Sequence, residues 1–181
     1  MPVFYLDTSA VLKRYRSEQG TDVVDSIYDE RFTPTIVKSV FQGVRSDVLV
    51  TSHFTCLELE SVAARMFRGR LLDEKAYNAL LNAFARDLEQ HVTVLPVSSD
   101  RMVDAIEAAR SYALRPGDAL HAATARHAMT SAQDEVMFVC SDKQLLEAVE
   151  DDALMQVLNP EVPDAMERLY KYRGRRPIDL P

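Results

Sequence analysis

Apolar residues fall along this chain in short unbroken runs, separated by longer stretches with helical spacing. The runs VFYL at 3–6, DVLVT at 47–51, VTVLPV at 92–97, VMFVCS at 136–141 and LMQVL at 154–158 read as strands. They are continuous rather than alternating, so each is expected to be covered on both faces. Helices are predicted over 8–16, 20–30, 52–70 and 74–90. Leu59, Val62, Ala63 and Met66 form the apolar stripe of the third, and Asp73 is placed to cap the fourth. Further on, Ser98 or Ser99 caps a helix running to Ala113, and Pro116 suits the first turn of one reaching Ala128. A helix to Val149 follows the fourth strand, and 163–172 forms a terminal helix.

Strands alternating with helices predict an α/β fold, a three-layer α/β/α sandwich around a mostly parallel central sheet of about five strands. No repeat or linker divides it, so the body of the domain is assigned to 1–158 and a C-terminal extension to 159–181. Residues 31–46, broken by Pro34 and Gly43, fit neither a strand nor a helix and read as an insertion.

Composition adds exclusions. The 181 residues are 47% apolar and 27% charged, enough for one domain with a core. The apolar runs are too short to span a bilayer, and Met1 to Leu6 is too short for a secretory h-region, so no membrane partner and a cytoplasmic location are expected. The two cysteines, Cys56 and Cys140, lie apart among apolar neighbours and read as free thiols, not as a zinc site or disulfide. With 28 acids against 21 bases the net charge is −7. Such a chain attracts nucleic acid only through local basic patches or bound cations.

In a parallel sheet, ligands bind beyond the carboxyl ends of the strands. Acids that follow a strand or open the next helix therefore single themselves out. Asp7 follows VFYL, Asp142 follows VMFVCS, and Asp118 opens a helix in RPGDALHAATA. Glu58 and Glu60 both lie early in the helix after DVLVT; they are about 200° apart, and periodicity does not choose between them. Any one of these acids could be an ordinary cap. Three or four at one sheet edge repel each other unless a cation joins them, and an all-oxygen set suits Mg²⁺ or Mn²⁺.

The segments YLDTSAVLKRY, TSHFTCLELESVAAR, LRPGDALHAATA and FVCSDKQLLEA resemble, in order, the four acidic motifs of PIN domains, most closely those of VapC-type toxin ribonucleases. They span residues 3 to about 150. The resemblance selects Glu58, which lies six residues after Ser52 and seven before Arg65. It implies that Asp7, Glu58, Asp118 and Asp142 are catalytic metal ligands, with Ser9 supporting the metal shell or a phosphate. It also implies hydrolysis of single-stranded RNA by metal-activated water, a homodimer, and a cognate antitoxin protein as partner. The insertion and the tail depart from the commonest short form of the family.

Lys13, Arg14, Arg65 and Arg115 lie near the acids in sequence and are the candidates for gripping RNA phosphates. His121, one turn after Asp118, reads as a packing or hydrogen-bonding residue, and His53 as a first-turn helix residue. The basic run KYRGRRP at 171–177 reads as a solvated terminus, with RNA contact as the alternative. A receiver domain would need an acidic pair after the first strand, and a haloacid-dehalogenase-type phosphatase would need D-x-D where Ser9 stands. The remaining rival is a catalytically silent PIN-like module that binds RNA or protein.

Overall fold

In the computed structural model of the chain, residues 2–32, 47–132, 135–150 and 155–174 are described. The insertion lies almost wholly outside them, at 33–46. Five parallel strands, β1 (Val3–Leu6), β2 (Val48–Ser52), β3 (Val92–Leu95), β4 (Val136–Val139) and β5 (Met155–Leu158), form one sheet in the order β3-β2-β1-β4-β5. Among the described residues there are eight helices. They are α1 (Thr8–Lys13), α2 (Thr21–Phe32), α3 (His53–Arg68), α4 (Glu74–Gln90), α5 (Ser99–Tyr112), α6 (Pro116–Ala132), α7 (Lys143–Glu150) and α8 (Ala165–Tyr172).

The continuous apolar runs are explained by burial on both faces. Side chains alternate across a strand, so Val3 and Tyr5 join the core under α5, α6 and α7, with Ala108, Ala123 and Leu145. Phe4 and Leu6 join the core on the other face, with Val24, Leu59, Phe84 and Leu169 from α2, α3, α4 and α8. The expected three-layer sandwich is what forms, and its sheet is fully parallel.

Boundaries moved where local chemistry overrides pattern. β3 stops at Leu95 because Pro96 has no N–H to give the ladder. β4 stops at Val139, three residues before Asp142 turns the chain into α7. α1 is short, ending at Lys13 after about one and a half turns, and α6 extends to Ala132, past the expected Ala128. Of the two serines, Ser98 is the cap of α5, its Oγ accepting from Arg101 N at 3.4 Å. Asp73 caps α4 as expected, accepting from Ala76 N at 2.7 Å.

The terminal segment packs onto the domain as far as residue 173, with Lys171 exposed. α8 buries Ala165 and Leu169 in the main core. Tyr172 lies with its hydroxyl 3.0 Å from Val3 O and 2.8 Å from Glu135 O, and Arg173 is buried. Arg175 and Arg176 of the basic run lie outside the described residues. No helix among the described residues is long and apolar enough to cross a membrane.

Candidate active site

The strand order places its reversal between β1 and β4, since the chain runs from β1 outward through β2 and β3 and then returns to the other side. At such a switch point the loops after the two strands diverge and leave a crevice. Asp7 and Asp142 stand at that crevice, one after each strand.

Asp7 both caps α1 and lines the cleft. Its backbone is extended, and its Oδ1 accepts from Ala10 N at 2.8 Å, which starts α1. The carboxylate is buried. Ser9 Oγ donates to it at 2.8 Å and itself accepts from Ser141 N at 2.9 Å, so one hydroxyl ties the end of β1 to the loop before Asp142. Cys140 donates its thiol to Oδ2 at 3.0 Å. Burial, then the charge of Asp7 beside it, pushes the Cys140 thiol far up, which keeps it a proton donor. Cys140 and Cys56 are both free, Cys140 buried and Cys56 half-buried.

Glu58 arrives from α3. Ser52 caps that helix by accepting from Phe54 N at 3.0 Å, and the second turn then carries Glu58 over the sheet edge. Thr8 Oγ1 donates to Glu58 Oε2, and His121 Nε2 lies 3.0 Å from the same oxygen. Burial alone would raise the Glu58 carboxyl, but hydrogen bonds from His121 and Thr8, with the charge of Arg65, outweigh it and hold the group below its usual range. His121 is buried, and its Nδ1 lies 3.0 Å from the hydroxyl of Tyr5, which points up from β1. Glu60 is exposed and does not line the crevice.

Asp118 sits in the first turn of α6. Its carboxyl is raised, first by burial and then by the charge of Asp142; His121 and Arg115 oppose the rise. Asp142 Oδ1 accepts from Leu145 N at 3.1 Å and so starts α7. Gly117 lets α6 begin close to α3: a Cβ there would stand 3.0 Å from the Phe54 ring and 3.2 Å from Glu58 Oε1, so one of those side chains would have to give way.

Asp7, Glu58, Asp118 and Asp142 all line one cleft of about 590 Å³, with Ser9, Thr8 and His121. Leu12, Phe54, Leu57 and Val62 give it an apolar side. The donor set is the kind a hard cation prefers, and the raised carboxyl of Asp118 beside Asp142 is the kind a cation relieves. Among the described residues no three His, Cys, Asp or Glu side chains are already grouped closely enough to hold an ion. Asp7 and Glu58 are instead held by protein donors.

The basic candidates divide. Arg65 lines the cleft, its Nη1 donating to Ser61 Oγ at 2.7 Å. Arg115 is exposed and near enough to Asp118 to stabilise its charge. Lys13 and Arg14 do not line the cleft. Lys13 is buried, 2.6 Å from Glu161 and 3.2 Å from Glu18. Arg14 pairs with Asp25 at 2.7 Å and lies over the Tyr28 ring. Their spacing after Asp7 pointed at the cleft, but so short a helix turns them onto neighbouring elements. Three residues that hold the site together were not read as part of it from the sequence: Tyr5, Thr8 and Cys140, the last read only as a free thiol. Their partners are 116, 50 and 133 positions away, and no local pattern signals a contact of that range.

A family model for the PIN domain matches residues 4–132. The chain belongs to the PIN domain family. The match includes Asp7, Glu58 and Asp118 and ends before Asp142. No curated protein matches the chain. Among solved structures, this PIN domain is similar to FitAcB from Neisseria gonorrhoeae, at 21% identity and a TM-score of 0.52, covering 87% of this chain and 97% of that one. It is similar to VapBC-1 from nontypeable Haemophilus influenzae, at 17% identity and a TM-score of 0.53, covering 88% and 99%. A toxin–antitoxin complex from Klebsiella pneumoniae matches at 12% identity and a TM-score of 0.53, covering 88% and 98%. At these identities the likeness speaks for the fold.

Proposed function

We propose that this PIN domain is a Mg²⁺- or Mn²⁺-dependent ribonuclease that hydrolyses phosphodiesters of single-stranded RNA, and that it is the toxin of a toxin–antitoxin pair. The observation that carries the reading is the meeting of four carboxylates, two following β1 and β4 and two on α3 and α6, in one cleft at the switch point. Asp7, Glu58, Asp118 and Asp142 would hold the ion, which when bound supplies an activated water and neutralises the phosphate.

The chain's own residues do the rest. Ser9 and Cys140 hold Asp7 toward the cleft, and Thr8 and His121 hold Glu58. Arg65 stands at the rim, where it meets a phosphate flanking the scissile one. The apolar side formed by Phe54, Leu57 and Val62 shelters an unpaired base. The net charge of −7 leaves little general attraction for RNA, so binding depends on this local set and on the cation.

The same reading gives the chain a homodimeric form in the cytoplasm and an antitoxin partner. Such a partner would place a basic side chain among the four carboxylates and compete with the cation. The likeness in fold to a toxin–antitoxin complex supports an antitoxin partner. Cleavage of short RNAs with Mn²⁺ or Mg²⁺ tests the enzyme. Asp7→Asn is expected to lose at least about a hundredfold in rate, more than the 10- to 100-fold typical of residues behind a metal ligand. Equal cleavage by wild type and Asp7→Asn would remove the assignment.

A silent binding module is the second reading, favoured by one observation: Asp7 and Glu58 are satisfied by protein donors. Under it, Mn²⁺ would raise the melting temperatures of wild type and Asp7→Asn equally, or not at all.

A further inference from the structure

We propose that His121 is a positioning residue that fixes Glu58 to offer a single oxygen, Oε1, to the cleft, and that Tyr5 sets which ring nitrogen of His121 carries the proton. The proposal rests on the reading of Glu58 as a metal ligand. It adds a buried chain of three side chains behind that ligand.

Both hydrogen bonds to Glu58, from Thr8 Oγ1 and from His121 Nε2, fall on Oε2. Oε1 carries neither of them. It faces Gly117, one residue before Asp118, where the absence of a Cβ leaves it clear. The carboxylate is therefore gripped at one oxygen and open at the other, on the side of the next acid.

The grip constrains the imidazole. An ionised carboxylate only accepts, so His121 Nε2 must bear a hydrogen. In the neutral ring Nδ1 is then the acceptor, and the group 3.0 Å away is the Tyr5 hydroxyl, which can donate. Tyr5 is wholly buried, with its ring stacked on Phe138 at 5.4 Å, so it has no freedom to turn away. Phe54 packs edge-on against the imidazole at 5.7 Å between ring centres. Hydrogen bonds behind a ligating group orient it and fix tautomers in this manner.

Two readouts separate positioning from mere packing. The first is the ¹⁵N NMR signature of His121 in metal-free protein, expected to show hydrogen on Nε2 and none on Nδ1, with the preference weakened in Tyr5→Phe. The second is Mn²⁺ affinity by titration calorimetry, alongside kcat and KM for RNA. His121→Leu is expected to weaken Mn²⁺ binding 10- to 100-fold and to lower kcat with little change in KM. His121→Gln, whose amide N–H can reach Oε2, is expected to restore most of both. Because a buried His121 variant can fail to fold, Thr8→Val and Thr8→Ser repeat the comparison from the other donor, with loss expected for valine and retention for serine.

A His121 ring with its hydrogen on Nδ1 would overturn the proposal. So would equal Mn²⁺ affinity in wild type and in folded His121→Leu and Thr8→Val, or equal losses in the Leu and Gln variants. A wild-type protein that binds no Mn²⁺ overturns the ligand role of Glu58 and the nuclease reading together, whereas equal binding across the variants overturns this proposal alone.

Discussion

At the scale of single residues, the cleft is a place where stability is given up. Asp118 is forced upward by burial and by Asp142, while Glu58 is held down by His121 and Thr8 despite burial. The two therefore have opposite linkage. An acid whose pKa is raised on folding binds more protons in the native state, so its burden appears as pH rises above the ordinary Asp value of about 3.9. An acid whose pKa is lowered contributes stability that is present above its ordinary value of about 4.3 and is lost as pH falls through the folded one. In metal-free buffer at pH 7, Asp118→Asn is expected to melt above wild type and Glu58→Gln below it. Both differences should shrink below about pH 4, where the unfolded carboxyls are protonated too. Thermal melts against pH check this, and a lower melting temperature for Asp118→Asn at pH 7 would contradict it. Added Mn²⁺ should reverse the order for Asp118, because a bound cation turns its burden into affinity.

At the scale of elements, local chemistry decides where each segment begins. Asp73 precedes a run with a clear 3.6-residue stripe, and its carboxylate caps α4. Replacing it with alanine is expected to cost about 1 kcal/mol in urea unfolding, with Asp73→Asn keeping most of that. RNA cleavage should be unaffected, since α4 lies away from the cleft. The same locality explains what the sequence could and could not disclose. Continuous apolar runs marked the strands because both faces of the sheet are covered, and caps marked α4 and α5 because the cap lies next to its helix. The convergence of Asp7, Asp118 and Asp142 on one cleft was legible because position after a strand or at a helix start is a local property that the parallel topology brings to one edge, whereas Glu58 was preferred to Glu60 only through the family resemblance. Lys13 and Arg14 misled because α1 ends after one and a half turns, which sends them to Glu161 and Asp25. The Tyr5–His121–Glu58 chain was hidden because its members come from three elements, and no spacing rule joins them.

At the scale of the whole molecule, the two ends of the sheet have different work. The carboxyl end opens on the acidic cleft, while the amino end is closed by the segment that looked like a solvated tail. Tyr172 bonds to the backbone where β1 and β4 begin, and Arg173 reaches Asp47, just before β2, at 2.5 Å. Arg173 also donates to Ser26 O in α2 and lies over the Phe4 ring. The pair is buried on both sides, so its net worth against an apolar pair is small, but removing one partner strands a charge. Arg173→Ala is accordingly expected to cost about 3–5 kcal/mol, a large share of the roughly 5–15 kcal/mol that holds a domain of this size together. Asp47→Leu combined with Arg173→Met should recover much of that loss, because neither charge then remains. Equilibrium urea unfolding of Arg173→Ala, of Asp47→Leu and Arg173→Met singly, and of their double variant measures it, and additive losses in the double variant would show that the pair is not coupled. RNA cleavage by folded Arg173→Ala at low temperature should match wild type, since the clasp and the cleft lie at opposite ends of β1.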